Sequence, residues 1–237
     1  MYNDQKIIVV LPAYNAAATL ERTVRDLPAL VDEIILVDDK SADETVALAR
    51  RLGLSVFERR ENGGYGANQK TCYRLALDHG ADIVVMIHPD YQYDPKLVKY
   101  FAEFIADGYF DVMLGTRIRS RREALAGGMP LYKYLSNRAL TMLENLVTGL
   151  NLSEWHTGMR GYKREVLENI RWQDNADDFV FDSQVLFRIA AKHYRIGEVP
   201  VPVRYFPEAS SINFWRSLKY GLQTVGTAIR YLAGRFK

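Results

Sequence analysis

The sequence predicts an α/β fold, a mostly parallel sheet with helices on both faces, followed by an amphipathic C-terminal helix. Three observations carry that prediction. Short apolar runs alternate with longer segments of helical spacing through the first half of the chain. Runs such as Lys6-Ile7-Ile8-Val9-Val10-Leu11 are almost wholly apolar, as strands buried on both faces are. Polar residues with chemistry follow these runs, at the carboxyl edge where open parallel sheets bind ligands. Such alternation implies right-handed crossovers and parallel neighbours.

Lys6 to Leu11 is the first strand, stopped by Pro12. A helix follows over Thr19 to Leu30, with Leu20, Val24, Leu27 and Val31 at helical spacing. Glu33 to Val37 is a second buried strand, closed by Asp38-Asp39. Ser41, with Glu44 three residues on, reads as a capping box opening a helix that ends near Gly53. Leu54 to Phe57 is a third strand, Tyr65 to His79 a helix stopped by Gly80, and Asp82 to Ile87 a fourth strand. A helix over Pro95 to Ala106 leads to a fifth strand at Val112 to Leu114. The second half is less regular. Leu131 to Leu150 is helical and hydrophobic, Gly161 to Ile170 a turn and helix, and Asp182 to His193 a further helix. Gly197 to Arg204 reads as an edge strand, because Pro200 and Pro202 cannot donate to a ladder. No repeat or linker interrupts the chain. The expected organisation is a catalytic domain over 1–211 and a basic amphipathic helix over 212–237.

With 237 residues, 48% hydrophobic and 25% charged, the chain can build a core without staples. The lone Cys72 can form no disulfide within it, which fits a cytoplasmic compartment. Met1 to Gln5 is polar and has no secretory pattern, and no stretch approaches the roughly 18 apolar residues of a spanning helix. The net charge of +2 decides nothing about nucleic acid, and no nucleic-acid partner is expected.

Chemistry gathers at four strand ends: Tyr14-Asn15, Asp38-Asp39, His88 to Gln92, and Thr116-Arg117. Adjacent acids at a strand end can accept from ribose or base, or can cap the next helix. In His88-Pro89-Asp90-Tyr91-Gln92, a carboxylate beside an amide oxygen suits a hard cation that shares diphosphate oxygens. The alternative there is an ordinary turn before the helix that Asp94-Pro95 starts. Arg117, Arg160 and Arg204 could each bind phosphate bidentately, or be solvated surface arginines. His156 and His193 show no metal-ligand spacing and read as structural or substrate-adjacent. Gly63-Gly64-Tyr65-Gly66 lacks the lysine of a P-loop and the spacing of a dinucleotide fingerprint.

Together these motifs resemble the family 2 glycosyltransferases of the Rossmann-like GT-A fold, and within them the polyprenyl-phosphate hexose synthases, the group of the dolichol-phosphate mannose synthases. The resemblance spans about residues 6 to 212. It rests on Pro12-Ala13-Tyr14-Asn15, on Val37-Asp38-Asp39-Lys40-Ser41-Ala42-Asp43-Glu44-Thr45, on Asn62-Gly63-Gly64-Tyr65-Gly66 and on Gly115-Thr116-Arg117. It continues through Thr157-Gly158-Met159-Arg160-Gly161-Tyr162 and Glu198-Val199-Pro200-Val201 with Arg204 and Ser210-Ser211. One position departs: the family's metal motif Asp-x-Asp-x-Gln has His88 in place of its first acid. The resemblance implies an inverting hexosyltransferase with a nucleotide-sugar donor of UDP-glucose or GDP-mannose type, a polyprenyl phosphate acceptor and Mg²⁺ or Mn²⁺. The implied catalytic residues are Asp90, Arg117, Asp182 and Arg204. The nucleotide and phosphate contacts are Pro12, Ala13, Tyr14, Asn15, Asp38, Asp39, Asn62, Gly66, Arg160 and Ser136. The metal set is Asp90, Gln92 and His88.

A lipid phosphate is already an anion and needs no general base, so positioning and charge stabilisation would suffice. A hydroxyl acceptor would need one, and Asp182, at a helix start, is then either that base or an N-cap. An inactive nucleotide-sugar-binding scaffold is the non-enzymatic alternative, suggested by His88. In the tail, Phe214, Leu218, Leu222, Val225, Ile229, Leu232 and Phe236 fall within a sector of about 80° on a helical wheel. With no acid from Ile212 to Lys237, that helix suits either a membrane interface or a seat on the core, and an oligomer is possible. Leu131 to Val147 could add a second membrane-facing element. The expected location is the cytoplasmic face of a membrane, held peripherally.

Overall fold

The computed structural model describes residues 1–118, 120–202 and 214–236, without the side chain of Phe214. Seven strands form one sheet: β1 (Ile7–Ala13), β2 (Glu33–Asp38), β3 (Ser55–Glu58), β4 (Ile83–Met86), β5 (Val112–Thr116), β6 (Arg160–Lys163) and β7 (Ile196–Pro200). Their order is β3-β2-β1-β4-β6-β5-β7. Every pairing is parallel except those of β6, which runs antiparallel to β4 and β5.

Strand residues alternate between two apolar layers, as period-two geometry requires. Ile7, Val9, Leu11, Ile83 and Val85 meet α1 (Ala17–Arg25), α2 (Thr45–Arg51) and α4 (Val98–Ala106) through Leu20, Ala49 and Phe101. Ile8, Val10, Val84 and Met86 face α3 (Tyr65–Asp78), α7 (Arg164–Asn169) and α8 (Phe181–Ala191) through Tyr73, Val166 and Phe187. The short α5 (Arg121–Ala126) leads into α6 (Leu131–Thr148), and α9 (Phe214–Leu232) lies against α6 and α8.

Four expectations need correction. The first strand does not stop at Pro12 but runs to Ala13. Its ladder with β4 ends at Val10 opposite Met86, so the missing proline amide falls past that ladder. The first helix ends at Arg25, five residues before Leu30. The Ser41 capping box does not form, and α2 begins at Thr45 with no side-chain cap. Ser41 Oγ instead donates to Asp38 and accepts the Asn15 amide at 2.8 Å, joining the ends of β1 and β2. The turn expected at Gly161 is the middle of β6, inserted between β4 and β5. Arg204, Ser210, Ser211 and the 211/212 boundary lie outside the described residues.

Helices α6 and α9 are turned inside out. On α6, Asn137, Thr141 and Glu144 are buried, whereas Leu131, Leu135, Met142 and Leu146 are exposed, Leu146 at 83%. On α9, Thr224, Thr227 and Ala228 are buried, while Trp215, Leu218, Leu222, Val225, Ile229 and Leu232 are exposed. Part of the polar surface of α6 is bonded by the segment after it, although Glu144 is not. Asn145 bonds the Leu152 amide and carbonyl, and Arg138 bonds the Ser153 carbonyl at 2.6 Å. Leu218, Leu222, Val225, Ile229 and Leu232 of the apolar stripe therefore face solvent, whereas Phe236 is buried against Phe187. The helix also seats on the core, through Thr224, Thr227, Ala228 and the Tyr231 ring, which meets Phe187. No described helix is long and apolar enough to cross a membrane.

Candidate active site

The carboxyl ends of β1, β2, β4 and β5 share one edge, as the parallel registers require. Three non-glycine residues just past those ends hold positive φ: Asn15 at 50°, Lys40 at 66° and Tyr91 at 58°. Such backbone is uncommon for residues with a Cβ and clusters at functional loops. An antiparallel strand brings to that edge the residues that precede it. Trp155 to Met159, before β6, consequently arrive beside His88 and Arg117.

A pocket of about 230 Å³ opens at this edge. His88, Asp90, Gln92 and Tyr93 line it from the loop after β4, and Arg117 from the end of β5. His156, Thr157 and Gly158 come from the segment before β6. Tyr132, Lys133, Ser136 and Leu140 of α6 and Ser217 and Tyr220 of α9 close the far side.

Asp182 also lines the pocket. Its carboxylate accepts from Tyr65 Oη at 2.7 Å and Gln69 Nε2 at 3.1 Å, and lies 3.7 Å from Arg160 Nη2. Tyr65 Oη stands 3.2 Å from His88 Nε2, with the two rings stacked, so one hydroxyl links His88 to Asp182. Asp90 accepts the Gln92 amide at 3.0 Å, which fixes the turn that presents both side chains. Arg117 is held by Glu154, which accepts its Nε at 2.8 Å and its amide at 2.7 Å. Burial alone would raise the Glu154 pKa, but the Arg117 charge and hydrogen bonds outweigh it and hold the carboxyl below its ordinary value. Burial, and then the Arg117 charge, pull Lys133 below the ordinary lysine range. Arg117 and Lys133 put cationic side chains on this wall, the first paired with Glu154.

The nucleotide-side candidates lie along the neighbouring strand ends. Asp38 accepts the Ser41 amide at 2.8 Å, and Asp39 accepts the amides of Gly63 and Gly64, each at 3.0 Å. Asn62 Oδ1 accepts the Gly64 amide at 3.2 Å, and Asn68 ties Ala13 to Val37. Pro12 and Ala13 end β1, and Tyr14 beyond them is exposed. None of these residues lines the pocket itself.

Two assignments fall away. Arg160 has no exposed surface, and its guanidinium donates to the carbonyls of Thr157, Asp182 and Trp155. It braces the pocket from within and cannot reach a phosphate. Gly66 is buried in α3, where it donates to Asp177 O at 2.8 Å. A Cβ there would stand 2.6 Å from the Ala176 carbonyl oxygen, so the glycine permits close approach of backbone rather than a ligand contact. Gly66→Ala should cost about 1–3 kcal/mol by chemical denaturation; an unchanged midpoint would contradict that reading.

The donor set fits a divalent ion only as a partial cradle. Asp90 supplies one carboxylate, Gln92 an amide oxygen and His88 a ring nitrogen. No group of three or more acidic, histidine or cysteine side chains converges among the described residues. Such a set suits a cation that takes most of its ligands from diphosphate and water. Sequence reasoning overlooked Lys133, Glu154, Ser217 and Tyr220. Only their placement at this edge marks them, and no motif could have done so.

The family model for glycosyl transferase family 2 matches residues 8–171. The chain belongs to glycosyl transferase family 2. This family 2 transferase is 32% identical over 206 residues to a dolichyl-phosphate hexose transferase of Haloferax volcanii, covering 86% of this chain and 85% of that one. It is 26% identical over 220 residues to a UDP-N-acetylglucosamine–dolichyl-phosphate N-acetylglucosaminyltransferase of Methanococcus voltae, with coverages of 85% and 87%. Among solved structures it resembles glucosyl-3-phosphoglycerate synthase of Mycobacterium tuberculosis in complex with UDP, at 22% identity and a TM-score of 0.75. That match covers 97% of this chain and 81% of the synthase, and it establishes the GT-A fold of the transferase. The same synthase has been solved with Mn²⁺, UDP and glucosyl-3-phosphoglycerate (TM-score 0.70).

Proposed function

We propose that this transferase moves a hexose from a nucleoside diphosphate sugar to a polyprenyl phosphate held at a membrane surface. The observation that carries the reading is the position of the pocket. It lies between the sheet edge and the paired helices α6 and α9, whose outer faces are apolar. A phosphate drawn to Arg117, Lys133 and Ser136 would then trail its isoprenoid chain along exposed leucines. Arg216, Lys219 and Arg230 are exposed on the same helix and suit the anionic cytoplasmic leaflet.

The geometry fits an acceptor that is already charged. Both Asp182 oxygens accept hydrogen bonds from Tyr65 and Gln69, an arrangement that holds a carboxylate in place rather than freeing it as a base. A phosphate oxygen attacks the anomeric carbon, the bond to the diphosphate breaks, and the configuration inverts in a single displacement. Asp90, Gln92 and His88 would hold Mg²⁺ or Mn²⁺, whose chemistry here is to neutralise charge on the departing diphosphate. Asp39 with the Gly63-Gly64 loop, Tyr14 and Asn15 supply the nucleotide side. A UDP-glucose type donor is favoured over GDP-mannose.

Thermal shift with UDP-glucose, UDP, GDP-mannose and GDP, each with Mg²⁺ or Mn²⁺, tests the donor side. Stabilisation by about 2.7 kcal/mol is expected for one base at a hundred times its Kd. If no nucleotide raises Tm, the transferase reading of this pocket is lost.

A further inference from the structure

Behind the pocket wall lies a buried acid that the proposed mechanism does not use. Glu144, on the inner face of α6, has no exposed surface, and neither carboxylate oxygen takes part in a hydrogen bond. His156 Nε2 stands 3.1 Å from Glu144 Oε2, too bent for a hydrogen bond. The other ring nitrogen, Nδ1, meets the Tyr220 hydroxyl of α9, which lies 3.0 Å from Ser183 Oγ on α8. The His156 and Tyr220 rings meet edge to face at 5.3 Å. Burial, and next the Glu144 charge, push the Tyr220 hydroxyl well above its ordinary pKa, so it keeps its proton. Helices α6 and α9 therefore meet at one imidazole, and α8 reaches it through Tyr220.

A buried carboxylate with no hydrogen bond among the described residues is among the most expensive groups a fold can retain. An apolar residue of similar size would stabilise α6 more. What the acid holds is the peg of a strategic segment. The main-chain carbonyl of His156 accepts Arg117 Nη2 at 2.6 Å, and Thr157 and Gly158, next in the chain, line the pocket. Any shift of the His156 side chain is passed to the guanidinium through a single peptide unit.

We infer that Glu144, His156 and Tyr220 form a positioning relay that seats α6 and α9 against Arg117 and sets the phosphate-binding geometry at the acceptor end of the pocket. None of the three touches the reacting atoms. The inference rests on the lipid-phosphate reading, and it makes α9 a structural part of the active site as well as its outer cover.

Isothermal titration of the full chain tests it, with farnesyl phosphate as a soluble acceptor probe and UDP and GDP as donor-side probes. Glu144→Gln, which removes the charge beside the imidazole, and Tyr220→Phe, which removes the hydroxyl bonded to it, should each weaken farnesyl phosphate binding about tenfold. The affinity for whichever of UDP and GDP binds should stay within twofold, about the scatter of distant sites. Glu144→Gln should leave Tm unchanged or raise it, because a buried carboxylate is costly to keep and the neutral amide is of similar size. The double variant should lose no more than the weaker single variant, since both cut one relay. Unchanged farnesyl phosphate affinity in both single variants overturns the relay. So does a parallel loss of nucleotide affinity and Tm, the signature of a merely structural cluster. If the unmodified chain binds UDP or GDP but not farnesyl phosphate, the acceptor reading fails and the relay with it.

Discussion

Asp90→Ala should lower the rate of hexose transfer by about a thousandfold while nucleotide-free Tm stays close to that of the unmodified chain. The asymmetry follows from the position of Asp90. It lies at the pocket rather than in either apolar layer, and its Gln92 amide contact at 3.0 Å belongs to a turn. It is also the sole carboxylate among His88, Asp90 and Gln92, so no second acid in that motif can take over. A family motif with two acids would lose less from either one. The measurement is the transfer rate across a Mg²⁺ and Mn²⁺ titration, with Tm taken on the same samples. Undiminished transfer in the presence of a chelator, by either protein, would show that the reaction needs no divalent ion at this loop.

The second large effect is expected on the outside of the molecule. Leu222 and Ile229 are 68% and 63% exposed on α9, and replacing both with glutamate removes nothing from the core. Stability should shift by less than about 0.5 kcal/mol, the range of ordinary surface substitutions. Binding to anionic vesicles should fall by a hundredfold or more. Two aliphatic side chains lost from an interface forfeit about 1.5 kcal/mol each, and each new acid adds about 1 kcal/mol of repulsion near the surface. Flotation with phosphatidylglycerol-containing vesicles reads this directly. Equal flotation of both proteins would mean that α9 does not meet the bilayer. Nucleotide affinity should not change, because neither residue lines the pocket.

Much of this arrangement was legible in the residues. Strands buried on both faces announce themselves as apolar runs, so β1, β2 and β4 stand within two residues of where the sequence puts them. The element from Val37 to Thr45 marks the sheet edge, because two acids followed by small polar residues have few other uses there. Less was visible where long-range contacts decide. Strand β6 is four residues with a glycine inside, and only pairing with both β4 and β5 makes it a strand. Ser41 and Glu44 match a capping box, but the Asp38 carboxylate competes for the serine hydroxyl and wins. A motif records residue type and not burial, so it cannot show that Arg160 is spent on the carbonyls of Thr157, Asp182 and Trp155. The apolar stripe of the tail was plain from its spacing, yet spacing cannot tell an inward stripe from an outward one. The buried Thr224, Thr227 and Ala228 on the opposite side settle that direction.

The reversed strand divides the work of the edge between two supply lines. Strands β1, β2 and β4 hand over the loops that come after them, and those loops carry the nucleotide-side and metal candidates. Strand β6 hands over the stretch that comes before it, and that stretch shapes the acceptor end. Residues 149–159 can therefore change in length or character without shifting the register of β1, β2 and β4. Change in that stretch would remodel one wall of the pocket while the loops after β1 and β2 stay where they are.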